Sequence, residues 1–94
     1  MKRFTFIMSS PETGEAIEQV CGMDLEEAWS SWAIPASDWI LSQLPGAGMD
    51  RETLLREIRD ENPMPLKELH GVWLCDLLPD NCPEVIQVVV VGAP

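Results

Sequence analysis

Apolar and polar residues alternate at the start of the chain. From Lys2 to Ser9, Phe4, Phe6 and Met8 fall on one side and Arg3, Thr5, Ile7 and Ser9 on the other, the period-two pattern of a strand. Ser10-Pro11-Glu12-Thr13-Gly14 is turn chemistry, with proline setting φ and glycine free to take φ > 0. Glu15 to Met23 alternates again, placing Ile17, Gln19 and Cys21 opposite Ala16, Glu18 and Val20. The two segments predict an antiparallel hairpin over residues 2–23.

At Asp24 the period changes from two to that of a helix. Asp24 is a natural N-cap, and Glu27 sits three residues on in the capping-box position. Leu25, Ala28, Trp29 and Trp32 share one stripe. Pro35 removes a helical hydrogen bond at a cost of about 3 kcal/mol, which predicts a break or kink near Ile34. A second helix from Ala36 or Ser37 to Leu44 then carries Trp39, Ile40 and Leu44 inwards. Trp29, Trp32 and Trp39 form either an aromatic binding surface or core, and core is the favoured reading for a small domain. Pro45-Gly46-Ala47-Gly48 turns the chain. Asp50 caps a further helix, Arg51 to Asn62, with an inward stripe of Leu54, Leu55 and Ile58. Within it Glu52 and Arg56 have the favourable i,i+4 order. Pro63 and Pro65 stop it.

Leu69 to Leu78 and Glu84 to Gly92 read as two more strands joined by the loop Pro79-Asp80-Asn81-Cys82-Pro83. The second is β-branched nearly throughout and apolar on both faces, which predicts a central or doubly covered strand. The expected fold is α+β: an antiparallel sheet from two hairpins, 2–23 and 69–92, with two to three helices on one face, in the order β-β-α-α-α-β-β. Ninety-four residues make one domain, 1–94, with one core.

Charge changes the functional picture more than the fold. Sixteen acids against six Lys and Arg give a net charge of −10, and residues 4–50 contain no Lys or Arg. Such a surface repels phosphate backbones, so direct nucleic-acid binding is disfavoured, and it is steered towards basic proteins. Glu12, Glu15, Glu18, Glu26 and Glu27 are the candidate partner-binding residues because no cation in that stretch compensates them. The alternative is that the acids serve solubility alone. No apolar run approaches the ~20 residues of a membrane span, and the N-terminus lacks a signal-peptide pattern, so a cytoplasmic protein with its natural start is expected.

Catalytic chemistry is not expected. His70 is the only histidine, and an offset of five on one strand places Cys75 on the opposite face. Cys21, Cys75 and Cys82 lack CxxC spacing and are an odd number, so buried reduced thiols are expected, with no disulfide framework, metal or cofactor. The carboxylates are too diffuse for a glycosidase pair. The Gly46-Ala47-Gly48 turn lacks the lysine of a phosphate-binding loop.

Leu44, Pro45, Gly46, Gly48, Arg51, Glu57, Ile58, Glu61, Asn62 and Pro63 stand in a register that resembles a small phage-encoded anti-CRISPR family, inhibitors of the type I-F CRISPR surveillance complex. Trp39 fits one residue out of register. The match covers about a fifth of the chain. The resemblance implies a small sheet-plus-helices fold in a host bacterial cell. It also implies binding to the repeated backbone subunits of the host CRISPR-Cas complex, blocking guide pairing with target DNA. The family's contact residues lie outside the matched block, so none is carried over, and this chain has strands after Pro63 where the family member ends. The second reading is an acidic phage accessory or protein-interaction domain with no inhibitory role.

Overall fold

A computed structural model of the chain describes residues 1–11, 14–43, 50–78 and 85–92. Five strands and two helices follow in the order β1 (Lys2–Ser10), β2 (Gly14–Gly22), α1 (Leu25–Gln43), α2 (Arg51–Asp60), β3 (Met64–Pro65), β4 (Val72–Leu77) and β5 (Ile86–Gly92). The class is the expected α+β. The strands form one antiparallel sheet of order β2-β1-β5-β4-β3. Both expected hairpins form, β1 with β2 and β4 with β5. They join through β1 and β5, with Phe6 opposite Val90 and Met8 opposite Val88.

One side of the sheet carries the core. Phe4, Phe6 and Met8 of β1, Cys75 and Leu77 of β4, and Ile86, Val88 and Val90 of β5 are buried there. α1 and α2 cover them with Trp29, Trp32, Ile40, Leu54 and Ile58. The Phe6 ring stacks on Trp32 with centroids 4.8 Å apart, and Trp29 tilts against Trp32 at 5.0 Å. Trp29 and Trp32 are therefore core, while Trp39 and Trp73 are partly buried at its margin. Trp29 also ties the helices together: its indole N–H donates to the Ile58 carbonyl at 2.7 Å.

Four expectations need correction. No break occurs near Ile34: α1 runs through Pro35 to Gln43, so the described residues form two helices rather than three. Pro35 denies a donor to the carbonyl of Ser31, but Ser31 is exposed, where solvent can take the place of that donor. Trp29, Trp32, Ala33, Ala36, Ser37 and Ile40 are all buried along one continuous stripe. At about 1.5–3 kcal/mol per large apolar side chain, that burial outweighs the proline. The buried Ser37 hydroxyl donates to the Ala33 carbonyl at 2.7 Å.

The second correction is β3. Met64 and Pro65 pair with Leu74 and Trp73, where the prolines suggested only a stop. A proline has no N–H to give a ladder, and β3 is an edge strand where none is needed. Third, β4 begins at Val72 rather than Leu69. Gly71 at φ 73° turns the chain into it, and the Gly92 N–H donates to the Gly71 carbonyl at 2.7 Å. Fourth, α2 ends at Asp60, two residues short of Asn62, and its Arg56 makes no ion pair with Glu52 among the described residues. Arg51 instead reaches across to Asp38 of α1 at 2.8 Å.

Both caps form at the expected residues, although in the first the reciprocal bond of the capping box falls on the Met23 N–H rather than on that of Asp24. The Asp24 carboxylate accepts from the Glu27 N–H at 2.9 Å, and Glu27 accepts in turn from the Met23 N–H at 3.3 Å. The Asp50 carboxylate accepts from the Thr53 N–H at 2.7 Å. That bond is the main reason its acidity is raised, holding its pKa below the usual aspartate value. The Leu44–Gly48 turn lies outside the described residues.

Candidate functional site

The acidic candidates line one flank of the molecule, formed by edge strand β2 and the start of α1. Glu15 and Glu18 are exposed on β2, and Glu26 and Glu27 are exposed in the first turn of α1. Glu12 lies outside the described residues. An offset of three on a strand puts Glu15 and Glu18 on opposite faces. Glu15 shares the open face of the sheet with its partner Ser9, whereas Glu18, opposite Phe6, is on the helix side. α1 starts beyond the Gly22 end of β2. At about 3.3 Å per residue, Glu15 is roughly 23 Å along the strand from Gly22. The structure thus brings the glutamates to one elongated rim rather than one patch. They differ in freedom too: Glu27 is engaged in the α1 cap.

The two sheet edges differ in a way that bears on docking. β3 is two residues long and contains Pro65. β2 is nine residues long, has no proline, and among the described residues has no strand on its outer side. Glu15 and Glu18 are the charges that guard this edge against non-specific strand pairing.

The thiols and the histidine do not converge. Cys75 faces the helix layer and is buried. Its pKa is pushed up to about 11, first by burial and then by the nearby charges of Glu61 and Asp76. His70 is exposed in the turn before β4, beside a groove that also includes Lys2 and Trp73. Cys75 lines a different groove of about 590 Å³ with Glu61 and Met64. Cys21, expected to be buried, is exposed on β2, because the outer face of that strand is not covered. Cys82 lies outside the described residues. Among the described residues no cluster of three or more His, Cys, Asp or Glu is placed to hold a metal, and no helix is long and apolar enough to cross a membrane.

Sequence reasoning missed the face opposite the helices. It is arranged in cross-strand rows. In the central row Ile17, Ile7, Val89, Leu74 and Met64 lie side by side across all five strands. The next row is Gln19, Thr5, Val91 and Val72. Ile17 is 61% exposed, Leu74 41% and Met64 72%, so no element among the described residues covers the row. Arg3 and Cys21 bound the face at one end, and Glu15, Ser9, Gln87 and Asp76 at the other. The signal was present: β5 is apolar on both sides. It is central as expected, but covered on one face only.

Compared with known proteins, the chain matches no family model, no curated protein and no solved structure.

Proposed function

We propose that this protein is a phage-encoded inhibitor. It binds a type I CRISPR surveillance complex, subtype I-F by the resemblance of residues 44–63, and blocks target DNA recognition in the cytoplasm of the host bacterium. The observation that carries the reading is the acidic β2–α1 flank, where Glu15, Glu18, Glu26 and Glu27 are exposed and residues 4–50 offer no Lys or Arg to neutralise them. A complex that holds guide RNA and captures DNA presents basic grooves. An acidic rim competes for such a groove, with attraction that raises the association rate and weakens with salt. Partner recognition, not catalysis, is the activity.

The test is phage plating on a CRISPR-immune host expressing the protein, with binding to the purified complex measured against salt. Protection is expected, together with binding that falls as salt rises. Glu15→Lys, Glu18→Lys and Glu26→Lys combined should abolish both while leaving the fold intact, because all three side chains are exposed. Glu27 is spared since its carboxylate supports the α1 cap. Absence of protection in every type I host would sink the inhibitor reading. Protection that survives the reversals would remove the acidic flank as its means. The second reading is an accessory interaction domain without inhibitory role. The uncovered apolar sheet face favours it, because it offers a binding surface that owes nothing to charge.

A further inference from the structure

We infer that the open face of the sheet is a self-association surface, and that two copies stack through it face to face. The central row Ile17, Ile7, Val89, Leu74 and Met64 spans five strands, and an apolar stretch this continuous is not the scattered exposure normal to a small domain. The acids that give the chain its charge are largely elsewhere. Of the charged residues in the paired strands, only Arg3 at one end and Glu15 and Asp76 at the other share this face.

That distribution selects the occupant. A strongly charged partner gains little from a face that carries one cation and two acids at its ends and an apolar centre, whereas a second copy matches it. Stack two sheets about a two-fold axis that lies between them, runs across the strands and passes between the Thr5 and Ile7 rows. Val89 then lies over Val91 of the second copy, and Leu74 over its Val72. Arg3 lies over its Ser9, beside its Glu15. Opposite charges meet at both ends, as an isologous contact requires. Sheets stacked about 10 Å apart bury such rows as a sandwich core.

The area is sufficient. Four rows about 6.7 Å apart on strands about 4.8 Å apart give a face roughly 20 Å square. With side-chain width included this is about 500 Å² per copy, or about 1,000 Å² in total, the lower bound for a specific interface. An interface at this lower bound is a weak one, and its dissociation constant is set by packing quality rather than by area. The net charge of each copy opposes association, but the two helices with their N-caps hold half of it, eight acids against three arginines, a further ~10 Å or more behind each sheet. At physiological salt the screening length is about 8 Å. The dimer therefore tightens as salt rises, the reverse of binding through the acidic flank, so the two surfaces are separable in one titration.

The experiment is sedimentation equilibrium on the intact chain from about 5 to about 500 μM, at about 0.02 M and about 0.3 M salt. The mass should move from 10.5 kDa towards twice that value with concentration, and at lower concentration in the higher salt. Ile17→Lys with Leu74→Lys should weaken the dimer at least about 100-fold with the circular dichroism spectrum unchanged. If that pair fails to fold, amide NMR dilution of the wild type decides instead: concentration-dependent shifts should fall on Val72, Val89, Val91 and their row neighbours. A monomer under all conditions overturns the inference. So do shifts confined to the helices or the outer edge of β2. Loss of phage protection in the lysine variant of a strictly monomeric protein would give this face to a different partner and equally overturn the second copy.

Discussion

Replacing Trp29 by Phe tests whether the indole bridge between α1 and α2 is an energetic link or only a packing contact. Trp29 is 4% exposed and its ring meets those of Phe6 and Trp32, so the substitution removes buried ring area and one donor. Trp-to-Phe truncation loses roughly 40 Å² of apolar surface, which at about 25 cal/mol per Å² is about 1 kcal/mol. The lost 2.7 Å bond to the Ile58 carbonyl adds about 1 kcal/mol. That carbonyl keeps a second partner, the Glu61 N–H at 3.2 Å, so the full cost of an orphaned acceptor is not incurred. The expected loss is about 2 kcal/mol, or roughly 8–16 °C in Tm for a domain of this size. Trp39→Phe is the control: Trp39 is only partly buried and should cost less than about 1 kcal/mol. Urea unfolding followed by circular dichroism, which does not depend on the tryptophan removed, measures both. Equal losses for the two variants, or a loss under about 1 kcal/mol for Trp29→Phe, would refute the bridge.

Gly22→Ala places a Cβ 2.8 Å from the Ala28 backbone nitrogen and 3.2 Å from its Cα, where backbone must move; a loss of about 1–3 kcal/mol is expected in the same unfolding assay. Asp50→Ala should lower Tm at pH 7 by removing the α2 cap. The Asp50 pKa is depressed in the folded state, so its contribution is present above the unfolded value near 3.8 and disappears as pH falls through the lower folded value. Wild type and variant should therefore converge in acid, as thermal melts across that range will show. Cys75, with its pKa near 11, stays a neutral buried thiol at pH 8. Peptide mapping after alkylation should find it modified at least about tenfold more slowly than exposed Cys21.

Local signals were legible wherever one face of an element was buried and the other was not. The alternation of Phe4, Phe6 and Met8 located β1, and Asp24 and Asp50 marked both helix starts. Signals failed where tertiary packing overrode a local cost. Pro35 reads as a helix break until Trp29 to Ile40 are seen sharing one core. Met64-Pro65 reads as a stop until Leu74 and Trp73 are seen beside it. The pairing of β1 with β5 joins the two ends of the described chain, and no short-range pattern encodes it. The acidic rim was visible as a run without cations, but not its shape: Glu15 and Glu18 fall on opposite faces. The open apolar face was hidden for a different reason. Ile7, Val89 and Leu74 look like core residues one at a time, and only the register shows them forming an uncovered row.

The strand order β2-β1-β5-β4-β3 has a kinetic consequence. During synthesis the β1–β2 hairpin and α1 emerge early, but the strand that must lie beside β1 emerges last of the five. Until Ile86–Gly92 clears the ribosome, the inner edge of β1 is unpaired and Phe4, Phe6 and Met8 have no floor on that side. The nascent chain is then a sticky intermediate rather than a growing domain. Contacts so distant in sequence place folding towards the slow end for small domains, about milliseconds to seconds. Emergence of β5, rather than of the hairpin that starts the sheet, becomes the step that commits the chain to its native state.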